Sequence, residues 1–242
     1  MKPVEAPTRP TMGEIPTTKR QIVSFGFFKL QPTWNALSQQ DKEKSRQDYL
    51  ELIELAKQDL FVYTYSLVGL RTDVDFLIWQ IGWSLDAIQA FNEKCRRSLF
   101  GQHLSQAYSL LSMTKRSQYV DKIDPEHQES RLRIMVGSGK YLFVYPFVKK
   151  REWYMLSLED RQKLMDTHIR IGNKYPSVKL HTTYSFGLDD QEFVVAFETD
   201  NPEDFLDLVQ ELREAESSLY TLRDTPIFTC IRKPLKEILE SL

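Results

Sequence analysis

From Gln21 onward, apolar residues recur at two spacings, every second position and every third or fourth, and the two rhythms alternate along the chain. QIVSFGFFKL (21–30) reads as a strand, and 37–57 as a helix with Leu37, Tyr49, Leu52, Ile53 and Ala56 on one face. FVYTYSLVGLRTDVDFLIWQIG (61–82) is a hairpin turned near Gly69. Ser84 then caps a helix striped by Leu85, Ile88, Phe91, Cys95 and Leu99, and AYSLLSMT (107–114) supplies a further strand. The order is β-α-β-β-α-β.

That order follows a second time. GKYLFVYPFV (139–148) is a strand, and Ser157 opens a helix with Asp160 three residues on, a variant of the capping box. LHTTYSFGLDDQEFVVAFET (180–199) is a hairpin turned at GLDD, Asn201 and Pro202 start a helix bearing Phe205, Val209 and Leu212, and LYTLRDTPIFTCI (219–231) is the last strand. Gly69-Leu70 and Gly187-Leu188 each precede a phenylalanine, Phe76 and Phe193, and each phenylalanine is followed eight residues later by a helix cap, Ser84 or Asn201. These correspondences read as an internal duplication.

The fold class expected is α+β: two tandem ferredoxin-like β-α-β-β-α-β units, each an antiparallel sheet with helices on its outer face. The units span 21–120 and 139–242, with a connecting loop at 121–138 and a flexible arm at 1–20 that carries four prolines and no apolar segment. One face of each sheet is left uncovered and is rich in Phe, Tyr, Val and Trp, so it is expected to pack on its counterpart or on a second subunit. The region between sheet and helices is expected to be able to enclose a large apolar pocket.

Composition narrows the partners. The 242 residues are 41% hydrophobic, enough for a real core, and 32 Lys+Arg against 34 Asp+Glu give a net charge of −2, without the basic footprint that nucleic acid or an anionic membrane requires. FLIW and EFVVAF fall far short of a membrane span. Cys95 and Cys230 match no metal-ligand spacing, which is consistent with a reduced, cytoplasmic setting. No glycine-rich phosphate loop or Gly-x-Ser-x-Gly elbow occurs.

The chemistry concentrates in YPFVKKREWYMLSLEDRQKLMDTH (145–168). His168 shares the apolar helix face of Leu164 and Met165, where an imidazole either finds a hydrogen-bond partner or binds a metal. It lacks the neighbouring ligands of an ordinary protein metal site; heme iron, which needs one axial ligand, is the exception. Tyr145 and Lys149 lie four apart on one strand face: a packed ring and a solvated ammonium, or an oxidisable phenol beside a carboxylate clamp. Trp153 and Tyr154 read first as core aromatics.

This stretch, with GLDDQEFVVAFET and LREAESSLYTLRDTPIFTC in the same order, resembles the chlorite dismutase superfamily, and within it the coproheme decarboxylases. The resemblance runs from about residue 21 and implies the dimeric α+β barrel type of fold, with heme or coproheme held in the C-terminal half. His168 matches the proximal iron ligand, Tyr145 the tyrosine that decarboxylases oxidise to a radical, Lys149 a propionate partner and Trp153 a tryptophan near the porphyrin. Glu216 is matched to the carboxylate that orients the proximal imidazole, and Arg131 would join Lys149 on the propionate. The distal arginine of chlorite dismutases, or glutamine of one decarboxylase branch, falls here on Leu180, or on His181 if the spacing shifts by one; His127 is a candidate distal base.

The activity implied is peroxide-dependent decarboxylation of coproheme to heme b, with hydrogen peroxide as oxidant and the porphyrin as small-molecule substrate. A homo-oligomer is implied, a pentamer for chains of this length, with no nucleic acid and no membrane span. Competing readings are a chlorite-decomposing or peroxidase-like enzyme, disfavoured by Leu180, a heme carrier without turnover, and an interaction module that binds no tetrapyrrole.

Overall fold

The computed structural model describes residues 19–117, 119 and 133–242. Strand β1 (Ile22–Leu30) leads through a 3-10 turn (Pro32–Ala36) to α1 (Gln39–Ala56), then β2 (Phe61–Ser66), β3 (Phe76–Gly82), α2 (Leu85–Arg97), α3 (Leu99–Gln102) and β4 (Leu104–Met113). The second half runs β5 (Tyr141–Lys149), α4 (Arg151–Met155), α5 (Leu158–Gly172), β6 (Lys179–Tyr184), β7 (Phe193–Thr199), α6 (Pro202–Glu214), a 3-10 segment (Glu216–Tyr220), β8 (Thr221–Arg223), β9 (Phe228–Arg232) and α7 (Leu235–Glu240). Gly69 and Gly187, in corresponding hairpins, both have positive φ (79° and 71°), a conformation that favours glycine and that makes the two turns equivalent.

Hydrogen bonding orders the strands β4-β1-β3-β2 in one half and β9-β5-β7-β6 in the other, the same relative order. Where the halves meet, β2 pairs β9 through Tyr65↔Arg232 and Ser66↔Ile231, and β4 pairs β6 through Met113↔Tyr184. The eight strands therefore close into a barrel, with β8 extending the far end of β5. Closure removes the exposed edges that two separate sheets would carry. Of the two expectations for the bare sheet faces, packing on each other within one chain is the one realised: Phe25, Trp79, Leu142, Ala196 and Phe228 share a single interior core. Fully burying side chains of this size contributes about 1.5–3 kcal/mol each.

The β4–β6 seam has a single ladder pair and is completed by side chains. Asp189 Oδ2 accepts from the Leu111 N–H (2.7 Å), Ser185 Oγ donates to the Leu111 carbonyl (2.7 Å), and Thr183 Oγ1 donates to Ser112 Oγ (2.7 Å). Replacing Asp189 by Ala strands a strand N–H in a partly buried seam, and is expected to lower unfolding stability by about 1–3 kcal/mol, read as a lower urea midpoint at unchanged slope.

Several boundaries differ from the periodicity. Helix α2 stops at Arg97 because Ser98 caps a new turn, its Oγ accepting from Gly101 N–H (3.1 Å); Ile88, Phe91 and Cys95 are buried, but Leu85 and Leu99 are exposed. The last strand is instead two, β8 and β9, with a cis Thr225–Pro226 bond between them. Helix α7 has no counterpart in the expected elements: Leu235, Ile238 and Leu239 cover the outer face of the first half together with α1 and α2. Among the described residues no helix is long and apolar enough to cross a membrane.

The outer face of the second half carries the chemistry. Alternation sends Phe143, Tyr145 and Phe147 of β5 outward, and the register aligns them in rows: Tyr145 with Val195 and through it Thr182, Phe143 with Phe197 and Leu180, Phe147 with Phe193 and Tyr184. Helices α5 and α6 lie over part of this face through Ile171, Phe205 and Leu208, while Leu180 stays 48% exposed on β6.

Candidate functional site

Tyr145 is buried among Phe143, Phe197, Ile171 and Phe205, with its ring stacked on Phe197 at 6.0 Å. Burial raises the phenol well above its ordinary pKa; Asp224 adds to the rise and Arg213, ion-paired to Asp224 at 2.9 Å, opposes it. A neutral, protonated phenol follows across the physiological range. Among the described residues its hydroxyl makes no hydrogen bond, which leaves it available to a ligand.

Helix α5 is started by Ser157, whose Oγ accepts from Asp160 N–H (3.1 Å). Three turns on, His168 lies one turn before Ile171, on the side of the helix that packs toward Tyr145. Desolvation and then the Lys149 ammonium hold its pKa down at about 4. The imidazole is therefore neutral above that pH, with a free lone pair, and no described residue hydrogen-bonds its ring nitrogens.

Lys149, at the end of β5, is placed by a register shift between Val148 and Lys149 that brings β5 against β8. Its Nζ lies 4.4 Å from the centroid of Trp153 and 5.3 Å from that of Phe147, and donates to the Ser217 carbonyl at 3.1 Å. Burial pulls its pKa to about 8, with the Glu192 carboxylate opposing, so the side chain is still a cation at neutral pH. Trp153 is buried, with Tyr220 at 5.6 Å and Tyr119 at 6.3 Å between ring centroids.

The structure thus brings Tyr145, Lys149, Trp153 and His168 to one outer face with Leu180 in the neighbouring row. It does not bring His181 there. By the period of two His181 points into the barrel, where Nε2 meets Glu198 Oε1 at 2.6 Å and the ring lies edge-on to Trp79 at 5.5 Å. Of the adjacent pair only Leu180 is presented on the outer face.

Glu216 is exposed at the head of its 3-10 segment, and no hydrogen bond joins it to His168. Its neighbour Ser217 is the one that reaches the site, through its carbonyl. His127 and Arg131 lie outside the described residues.

Glu192 was not singled out by the sequence, where it follows the acidic turn GLDDQ and looks like part of a solvated loop. Its place directly before an apolar strand was the available signal. It is buried, accepts from the Lys149 backbone N–H (2.8 Å) and the Tyr154 hydroxyl (2.5 Å), and lies 3.7 Å from the Arg151 guanidinium.

The donor set suits one kind of metal site. Among the described residues no three His, Cys, Asp or Glu side chains converge to hold a bare ion. A single neutral imidazole over an apolar wall, with a cation at the rim, fits instead a flat, mostly apolar, carboxylate-bearing macrocycle that brings its own equatorial ligands.

A family model described as chlorite dismutase matches residues 42–233. A coproheme decarboxylase from Mycolicibacterium smegmatis is 28% identical over 181 residues, 74% of this chain and 75% of that protein. A solved mutant chlorite dismutase from Candidatus Nitrospira defluvii superposes with a TM-score of 0.83 at 29% identity, covering 91% of this chain and 94% of the other. A structure from Thermus thermophilus, described as a novel heme-binding protein, superposes with a TM-score of 0.82 at 26% identity and the same coverage.

Proposed function

Since the chain belongs to the chlorite dismutase family, we propose that it is an oxidoreductase that decarboxylates coproheme to heme b with hydrogen peroxide. The observation that carries this reading is the meeting of a buried, oxidisable phenol (Tyr145) with a carboxylate-binding cation (Lys149) on the face that His168 overlooks. Coproheme is substrate and, through its iron, the means by which peroxide supplies oxidising equivalents.

His168 holds the iron through its neutral imidazole. Lys149 binds a propionate and, fixed between Trp153 and Ser217, sets that carboxylate's position. Tyr145 gives up an electron and its phenolic proton, and the resulting radical takes a hydrogen atom from the propionate chain. The propionate radical would then lose carbon dioxide and give a second electron to the peroxide-derived oxidant, leaving a vinyl group, so that each round consumes one peroxide, reduced to two waters, per propionate; a second round completes heme b. The apolar surround of Phe143, Phe197 and Val195 keeps water from quenching the radical.

Leu180 separates this reading from chlorite turnover. Its alkyl side chain provides neither a cation nor a donor for an oxyanion opposite His168, so oxygen evolution from chlorite is expected to be slow. A homo-oligomer belongs to the same proposal, and the exposed Leu206, Leu219 and Leu222 are apolar surface for an assembly to cover.

The deciding experiment adds iron coproporphyrin III and then peroxide to the protein and follows porphyrin masses. Two successive losses of 46 Da, carbon dioxide plus two hydrogens, are expected. Bound, unchanged coproheme would assign the chain to heme carriage instead, and oxygen released from chlorite at high turnover would assign it to the other branch.

A further inference from the structure

We infer that Glu192 is a positioning residue for the propionate clamp: its buried carboxylate ties down the end of β5 and α4 so that Lys149 presents its ammonium to an anionic ligand. This rests on the reading above, and names the residue on which its carboxylate specificity depends.

The ladder between β5 and β7 ends at Phe147↔Phe193. Beyond it the Lys149 N–H has no strand partner on that side, and Glu192, one residue before β7, meets it with Oε2 at 2.8 Å. The Glu192 N–H donates to the Phe147 carbonyl (3.2 Å) and its own carbonyl accepts from the Ser185 N–H (2.8 Å), so its backbone is fixed on both sides. The same Oε2 accepts from the Tyr154 hydroxyl at 2.5 Å, which secures α4 and with it Trp153, the ring beneath the Lys149 ammonium.

A carboxylate this buried is strongly disfavoured unless it is matched by donors, and neutral packing would serve strand ends equally well. Among the described residues the donors that match it come from 149–154, the segment that carries the clamp. Its negative charge also favours a cation at Lys149, whose ammonium otherwise meets the Phe147 and Trp153 rings and the Ser217 carbonyl. Removing the charge loosens the segment and leaves the ammonium less well held before the ligand arrives.

The test is a double-mutant cycle read by equilibrium binding. Iron coproporphyrin III and its tetramethyl ester are titrated into wild type, E192Q, K149M and E192Q/K149M, following the Soret band. E192Q is expected to weaken the tetracarboxylate about tenfold, a coupling of ~1.4 kcal/mol. The ester should be unaffected, and the effect should vanish in the K149M background; E192D, which keeps the charge, should recover part of the loss.

Equal weakening of acid and ester, persistence of the effect without Lys149, or no effect at all would overturn the inference. Should E192Q fold poorly, Y154F removes one donor from the same carboxylate and is expected to show a smaller loss confined to the tetracarboxylate; an equal loss for the ester overturns the inference there too. Failure of wild type to bind either porphyrin overturns the functional reading itself, and is distinguished by the absence of any Soret shift.

Discussion

Tyr145→Phe protein is expected to bind iron coproporphyrin as tightly as wild type, with the same Soret band, and yet to convert it roughly 10²–10⁴-fold more slowly, the range for losing a group that handles a proton at the reacting bond. The substitution removes one oxygen from a ring that otherwise sits in apolar packing with Phe143 and Phe197, so folding and ligand seating change little. It removes the only atom on the ring that can lose a proton together with an electron. Burial raises the phenol's pKa, so a tyrosinate is not formed at working pH and oxidation must carry the proton away with the electron. Single-turnover mass spectrometry after peroxide addition checks this. Conversion at the wild-type rate would remove Tyr145 from the reaction, leaving the clamp and the iron ligand intact.

His168→Ala is expected to have the second largest effect. Loss of even an outer partner of a metal ligand costs about 10–100-fold in affinity, so loss of the ligand itself should exceed that for iron coproporphyrin. Metal-free coproporphyrin should bind the variant nearly as well as wild type, because the apolar wall and Lys149 remain. Equal loss for both ligands would mean that His168 acts by packing.

The pH dependence is specific. With the free imidazole held at about 4, protons compete with iron only below that pH, so the spectrum of the ligated form should persist well below the ordinary histidine range and be lost only below about pH 4. In the ligand-free protein the unfolded chain takes up this proton near 6.5 and the folded chain only near 4. Stability should therefore fall as pH drops through that interval, and the His168→Ala protein should lose that component of the slope in urea unfolding.

The sequence by itself determined the repeated element order, the shared strand face of Tyr145 and Lys149, the capped helix that carries His168 and, through the Gly69 and Gly187 turns, the equivalence of the halves. These are local properties: periodicity, caps and turn chemistry act within a few residues, and a period of two puts Leu180 and His181 on opposite faces of β6 while leaving open which of them points outward, which the structure decided. Only the tertiary structure decided that the two bare sheet faces close on each other as a barrel, because the β4–β6 seam depends on Asp189, Ser185 and Thr183 reaching bonds about seventy residues away in sequence. Only the structure, likewise, took α7 across to the first half and turned Glu192 from an apparent loop acid into the buried anchor of Lys149. A carboxylate's role is set by the donors that surround it after folding, and those donors come from a strand end and a short helix whose positions no local pattern specifies.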